Sequence, residues 1–262
     1  MTTELHVRLG DRPADRLWLG IDRKWWTLAV VGSGTFMTAI DTSIVNIALP
    51  TIGHSTGAPL DMVEWVVLAY LLAVTGTLLV FGRIADVHGK RRIYMAGQVL
   101  FAVGSLLCGV SGRIGPLVAS RALQGLGASM MLALSPAVLI GVFPAEERGR
   151  ALGLQATMTY LGLSIGPALG GWMTDLFGWP SIFLVNVPIG LAMVALSSQA
   201  LAKEARPEHG STPPFDVAGA VLLAAALSSL LFALSHGQRG SAGPSRSSSA
   251  CWPPPRRAGW RS

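Results

Sequence analysis

The sequence predicts an all-α membrane protein, a six-helix bundle of two inverted three-helix repeats followed by a seventh transmembrane helix. Three observations carry this expectation. Seven apolar runs (residues 25–50, 63–81, 93–110, 114–143, 151–173, 182–200 and 217–234) reach the length that a helix needs to cross a hydrocarbon core of roughly 30 Å. Lys and Arg fall on alternate loops between these runs. A glycine–aspartate–glycine pattern occurs twice, three runs apart. With 13% charged residues and 51% hydrophobic ones, the chain lies far from the soluble average of about 25% charged. A one- or two-domain soluble reading is excluded.

The charge distribution sets the orientation. With the N-terminus inside, the inner segments hold Arg8, Arg12, Arg16, Arg23 and Lys24, then Arg83, Lys90, Arg91 and Arg92, then Arg148 and Arg150, then Lys203 and Arg206. The outer loops between spans hold only Arg113. Cytoplasmic loops collect Lys and Arg, so the expected location is the plasma (cytoplasmic) membrane, multi-pass, with the N-terminus inside. This segregation accounts for the net charge of +6 and leaves no basic face for nucleic acid. The expected partner surface is the lipid bilayer.

Residues 1–24 form a polar cytoplasmic arm. The first span is too long for the core of a signal peptide and reads as an uncleaved helix. Trp25 and Trp26 mark its inner interface. Asp41 lies about 24 Å further along the helix axis, in the outer half of the bilayer. Facing lipid there costs roughly 2.5–3.5 kcal/mol or more, so Asp41 is expected to face a cavity or a partner.

The stretch between the second and third spans, residues 82–92, reads Gly-Arg-Ile-Ala-Asp-Val-His-Gly-Lys-Arg-Arg. Its consecutive cations hold it at a membrane surface, and Gly82 and Gly89 are expected to turn the chain. Asp86 is placed either to cap the next helix or to pair with a neighbouring Arg.

The fourth span holds Arg121, the only Lys or Arg inside any span. A buried guanidinium stays charged and needs a carboxylate or several carbonyls. Arg121 lies about 10 Å below the outer surface, a depth similar to that of Asp41, so pairing and snorkelling both stand. In the fifth span, Gly162 and Gly166 share one helical face and permit close backbone approach, and Pro167 removes a helix hydrogen bond. The Gly82, Asp86, Gly89 spacing recurs as Gly171, Asp175 and Gly178, followed by Trp179-Pro180-Ser181 in place of cations. An offset of three spans puts the copies on opposite membrane faces, as an inverted repeat requires.

Residues 201–215 read as a cytoplasmic loop after the bundle at 25–200, and residues 216–236 as the seventh helix. The tail at 237–262 contains five Arg, and from Ser241 onward no Leu, Ile, Val, Met or Phe, a composition that cannot bury a core. Seven spans would leave it outside, against the charge rule. Cys108 and Cys251 suggest neither a disulfide framework nor a metal site. His54, His88 and His209 stand in loops without a partnered nucleophile or metal spacing. No enzyme, metal or cofactor is expected.

Five of these stretches together resemble the major facilitator superfamily. Gly82, Asp86, Gly89, Lys90 and Arg91 match the signature of its loop between helices 2 and 3. The stretch from Asp41 to Pro50 resembles the first-helix signature (D-x-x-I-V-N-x-A-L-P) of the drug:proton antiporter branch with fourteen helices. Arg121, Gln124, Gly125, Gly127 and Ala128 match the fourth-helix motif. Gly162, Gly166, Pro167, Gly170 and Gly171 resemble the fifth-helix motif associated with antiporters. Ile182 to Gly190, with Asn186 and Pro188, resembles the sixth-helix motif of the same branch.

The resemblance implies alternating access, with residues 82–92 latching the cytoplasmic side. It implies proton-driven export of drugs or similar amphipathic small molecules, with the proton gradient as energy source. Asp41 would bind the proton or a cationic substrate, and Arg121 would favour the ionised carboxylate until either disturbs the pair. A purely structural carboxylate is the alternative. One bundle alone lacks the second bundle against which this fold rocks. A second copy would supply it, or the chain is the N-terminal half of an antiporter ended by frameshift or truncation and inactive alone. The abrupt composition change near residues 237–241 favours the second.

Overall fold

A computed structural model describes residues 22–201 and, beyond them, Gly219, Leu222, Ala225, Ala226 and Ser229. These five residues of the expected seventh span are helical. The rest of that span, most of the N-terminal arm and of the loop at 201–215, and the tail at 237–262 lie outside the described residues.

The helices follow the apolar runs. They are α1 (Arg23–Thr56), α2 (Leu60–His88), α3 (Lys90–Val110), α4 (Ile114–Val142), α5 (Arg148–Phe177), α6 (Ser181–Leu184) and α7 (Asn186–Ala200), with a 3-10 turn at Ala145–Glu147 before α5. Among the described residues, five segments are long and apolar enough to cross a membrane: α1 to α4, and Ser181–Ala200 taken as one helix. The chain is an all-α, multi-pass membrane protein. Although it was expected as a span, α5 is not among the five. Its 30 residues suffice in length, but Gly149, Gly153, Gly162, Gly166, Gly170 and Gly171 and several Thr, Ser and Gln dilute its apolarity.

The sixth run is divided at Val185, between α6 and α7. Pro188 explains this, because it has no N–H to donate to the Leu184 carbonyl and its ring crowds that oxygen. Val185 keeps right-handed helical dihedrals (φ −62°, ψ −28°).

Gly82 does not turn the chain. It lies inside α2, which runs seven residues past the end of its apolar run, to His88. Nothing in Arg83-Ile84-Ala85-Asp86-Val87-His88 breaks a helix, and Ala85 is buried. The whole turn is Gly89, at φ +93°, where an L side chain is strained. Asp86 takes the second of its two expected roles. Its Oδ2 lies 3.7 Å from Arg83 Nη1, and the N-terminus of α3 has no side-chain cap.

The second copy of the pattern is built alike. Gly171 lies inside α5, and Gly178, at φ +77°, ends it. The Gly89 N–H donates to Ala85 O at 2.9 Å and the Gly178 N–H to Thr174 O at 3.0 Å, in each case the carbonyl four residues back. The two turns stand at opposite ends of the bundle. Arg91 Nη2 donates to Ser198 O (2.6 Å), Arg23 Nε to Ala200 O (3.1 Å), and Lys24 Nζ pairs with Glu147 (2.7 Å). The Gly89 turn therefore shares one end with the start of α1, the α4–α5 connection and the end of α7. At the other end, Trp179 and Phe183 pack with Ile52, Cys108 and Leu117.

The pairing of helices repeats with the pattern. α1 lies along α5, as α4 lies along α2, which is the same pair once helices 1–3 are exchanged with helices 4–6. Two apolar clusters fill the interior. One, toward the Gly89 end, contains Tyr94, Phe101, Met131, Leu139 and Phe143. The other, toward the Gly178 end, contains Ile44, Ile52, Leu117, Ile182 and Phe183.

Candidate functional site

Where the two clusters meet, four helices turn polar side chains inward. Asp41 comes from α1, Ser105 from α3, Arg121 and Gln124 from α4, and Asn186 from α7. Arg121 and Gln124, three residues apart, share one face of α4. All five are buried, with Asp41 and Gln124 at 0% exposure and Arg121 at 1%.

Close backbone approach makes the site possible. A Cβ on Gly104 would lie 2.7 Å from Gln124 Cα, and one on Gly125 would lie 2.7 Å from Tyr70 O. Glycine at these positions lets α3 and α2 close on α4, so the short side chains of Ser105 and Gln124 meet.

The hydrogen bonds form a closed network. Arg121 Nη1 donates to Asp41 Oδ2 at 2.7 Å and also to Gln124 Oε1. Arg121 Nε donates to the Val66 carbonyl at 3.0 Å. Gln124 Nε2 donates to Asp41 Oδ1 (2.8 Å) and to Ser105 Oγ (2.7 Å). Asn186 Nδ2 donates to Asp41 Oδ1 at 3.0 Å. The Gln124 amide has one workable orientation, since the flipped one would set its NH2 against the guanidinium. Tyr70 and Phe183 flank the guanidinium, with ring centroids 4.2 and 5.7 Å from Arg121 Cζ, so the cation also faces π-electron density.

This arrangement is asymmetric in energy. The attraction between two buried charges is largely offset by the water they have lost, whereas removing one partner strands the other at a cost of about 3–5 kcal/mol. The Asp41 carboxylate accepts from three helix-borne donors. Protonation removes the charge that Arg121 answers and turns one accepting site into a donor, which weakens these contacts.

The remaining sequence-predicted residues stand apart from this network. Gly89, Lys90, Arg91 and Asp86 lie at the end of the bundle, about 24 Å along α3 from Ser105. In α5, Gly162, Gly166 and Gly170 form one packing face on α1. A Cβ on Gly162 would lie 2.8 Å from Phe36 O, one on Gly170 would lie 2.6 Å from Ile44 Cγ1, and one on Gly166 would overlap Ser43 Oγ. Pro167 lies within the unbroken helix. Gly171 belongs to none of this packing, because a Cβ there meets nothing within 4 Å among the described residues. It stands one residue, about a third of a turn, off the Gly162, Gly166, Gly170 face.

Sequence reasoning named Asp41 and Arg121 but gave no role to Gln124, Ser105, Asn186, Tyr70 or Phe183. A usable signal existed for Ser105 and Asn186, which are polar residues inside apolar runs and seek partners on other helices. None existed for the two aromatic residues, which are ordinary core types.

The sequence profile of the Major Facilitator Superfamily matches residues 31–238. The riboflavin transporter RibZ of Clostridioides difficile (strain 630) is 38% identical over 82% of this chain and 46% of its own length. The multidrug resistance protein Stp of Mycobacterium tuberculosis (strain CDC 1551 / Oshkosh) is 37% identical over 80% of this chain and 39% of its own. The putative multidrug resistance protein MdtD of Escherichia coli O81 (strain ED1a) is 36% identical over 84% and 46%. The chain thus spans less than half the length of these curated relatives. The profile match, the two glycine turns and the paired helices agree: this chain belongs to the major facilitator superfamily.

Proposed function

We propose that the chain supplies the N-terminal bundle of a membrane transporter that exports small amphipathic molecules in exchange for protons, with Asp41 as the proton carrier. The buried network around Asp41 is the observation that carries this reading. An ionisable group at 0% exposure, cross-linked to two other helices by three donors, couples its protonation to helix packing. With the proton absent, Arg121, Gln124 and Asn186 hold α1 to α4 and α7. With the proton bound, the charge is neutralised, these contacts weaken, and α1 is freed to shift along the glycine face of α5. Relatives named as riboflavin and multidrug-resistance transporters support a small-molecule cargo and speak against an enzyme. Alternating access needs a second bundle facing this one, either from the same polypeptide or from a second copy. The plasma membrane with the N-terminus inside fits the basic end of the bundle, which holds Arg23, Lys24, Lys90, Arg91 and Arg92.

The test replaces the residue equivalent to Asp41 by Asn in a full-length relative with a measurable proton-coupled efflux. Loss of coupling with protein level maintained is the expected result. Unchanged proton-driven efflux removes Asp41 from the mechanism.

A further inference from the structure

The network does not absorb Gln98. This residue of α3 is fully buried, yet neither its amide nitrogen nor its amide oxygen has a hydrogen-bond partner among the described residues. It stands between Tyr94 and Phe101, both members of the apolar cluster toward the Gly89 end. Ser197 of α7 is likewise fully buried, with its hydroxyl unpartnered among the described residues.

Helix register connects these groups to Asp41. A Cβ on Gly34 would lie 2.5 Å from the Tyr94 hydroxyl, so the Tyr94 side chain reaches from α3 across the interior to α1 at Gly34, and Asp41 follows Gly34 by two turns. Gly190 packs on Ala102, and Arg91 reaches the Ser198 carbonyl, which sets α7 antiparallel to α3. Thr27 Oγ donates to Ala200 O (3.4 Å) while Asn186 donates to Asp41, which sets α7 antiparallel to α1 in the same register. Gln98 therefore lies about 10 Å along α3 from Ser105, toward the Gly89 end, and Ser197 lies further that way. Thr38 is buried on α1 one turn after Gly34 and one turn before Asp41. Its hydroxyl donates to its own helix at Thr35 O, and its oxygen remains able to accept.

A primary amide buried on the face of α3 that carries Tyr94 and Phe101 has donors and acceptors that apolar side chains cannot satisfy. Water is the ligand with both, and buried polar groups lacking protein partners are where internal water is held. We propose that Gln98 anchors an internal water site, and that water there joins Asp41, by way of Thr38, to Ser197 and the Gly89 end of the bundle. The path runs inside this bundle and does not use the face that a second bundle would cover. Its purpose rests on the reading of Asp41 as proton carrier; the water site itself does not. A proton reaching Asp41 leaves the nearest water, which takes another from the next. Only O–H bonds are exchanged, and the net transfer is one proton.

Radiolytic hydroxyl labelling of the purified chain in lipid nanodiscs tests the site, because radicals generated from bound water mark side chains that bulk radicals cannot reach. Tyr94 and Met193, at 0% and 4% exposure, should be labelled in the unaltered chain. The labelling should be lost in Gln98→Leu and retained in Gln98→Asn, which keeps the amide and controls for altered folding. Absence of label in the unaltered chain, or equal label in Gln98→Leu, overturns the site. The path is tested separately in D2O at acidic pH by the infrared carbonyl band that Asp41→Asn removes. Its deuterium exchange should slow severalfold in Gln98→Leu, and unchanged exchange overturns the path. Neither readout depends on transport, so a transport failure of Asp41→Asn in a relative leaves both distinguishable.

Discussion

Arg121 is held by one carboxylate, one amide oxygen and one main-chain carbonyl, and each of those groups is also committed elsewhere. Replacing it by Met removes the cation and leaves Asp41 buried without its counter-charge. The expected loss of stability is about 3–5 kcal/mol, read as a lowered thermal midpoint in detergent. Replacing both residues, Asp41→Leu with Arg121→Met, removes the stranded charge along with the pair. The double variant should therefore recover most of that loss, because apolar replacement of a buried ion pair is often neutral or better. A double variant as unstable as Arg121→Met alone would show that the network matters for packing rather than for charge. Which carboxylate meets Arg121 was readable only as a match of depth. The partners Gln124 and Asn186 required the fold, since residues 41, 124 and 186 meet only when three helices are in place.

Among the helices, the contact between α1 and α5 depends on missing side chains. Gly162, Gly166 and Gly170 recur every four residues and bring α5 onto the backbone of α1 at Phe36 and Ile44 and onto the Ser43 hydroxyl. Gly166→Leu should cost about 1–3 kcal/mol through overpacking, whereas Gly171→Leu, which meets nothing within 4 Å among the described residues, should fall within about 0.5 kcal/mol of the parent. Thermal unfolding of the two variants side by side checks this, and equal effects would remove the distinction between the faces. The glycine spacing was visible in the sequence, and its extension to Gly170 follows the same period. The separate fate of Gly171 was not visible, because adjacent glycines look alike until the helix is rotated against its neighbour. Hydropathy likewise under-reports α5, whose packing surface is made of glycine rather than large apolar groups.

At the level of the whole bundle, the two glycine turns oppose each other. Single cysteines at His88 and Phe177, in a chain with Cys108 and Cys251 replaced by Ser, should react with a membrane-impermeant maleimide from opposite faces of sealed vesicles. Reaction from the same face would refute the inverted repeat. The basic side should be the one carrying the His88 label, and the inside assignment is the part of this experiment that charge alone predicts.

The helical runs up to Ala200 and their approximate limits, the repeat and the basic end were determined by the sequence itself. Each depends on local properties: apolar length, the conformational freedom of Gly89 and Gly178, and the cost of moving Lys or Arg into lipid. Tertiary structure decided the rest. It made Gly82 and Gly171 helical, because a helix continues until something stops it and the end of an apolar run does not. It drew Asp41, Ser105, Arg121, Gln124 and Asn186 into one network and left Gln98 outside it, because hydrogen-bond partners on four helices are a property of their register against one another, which no single segment encodes.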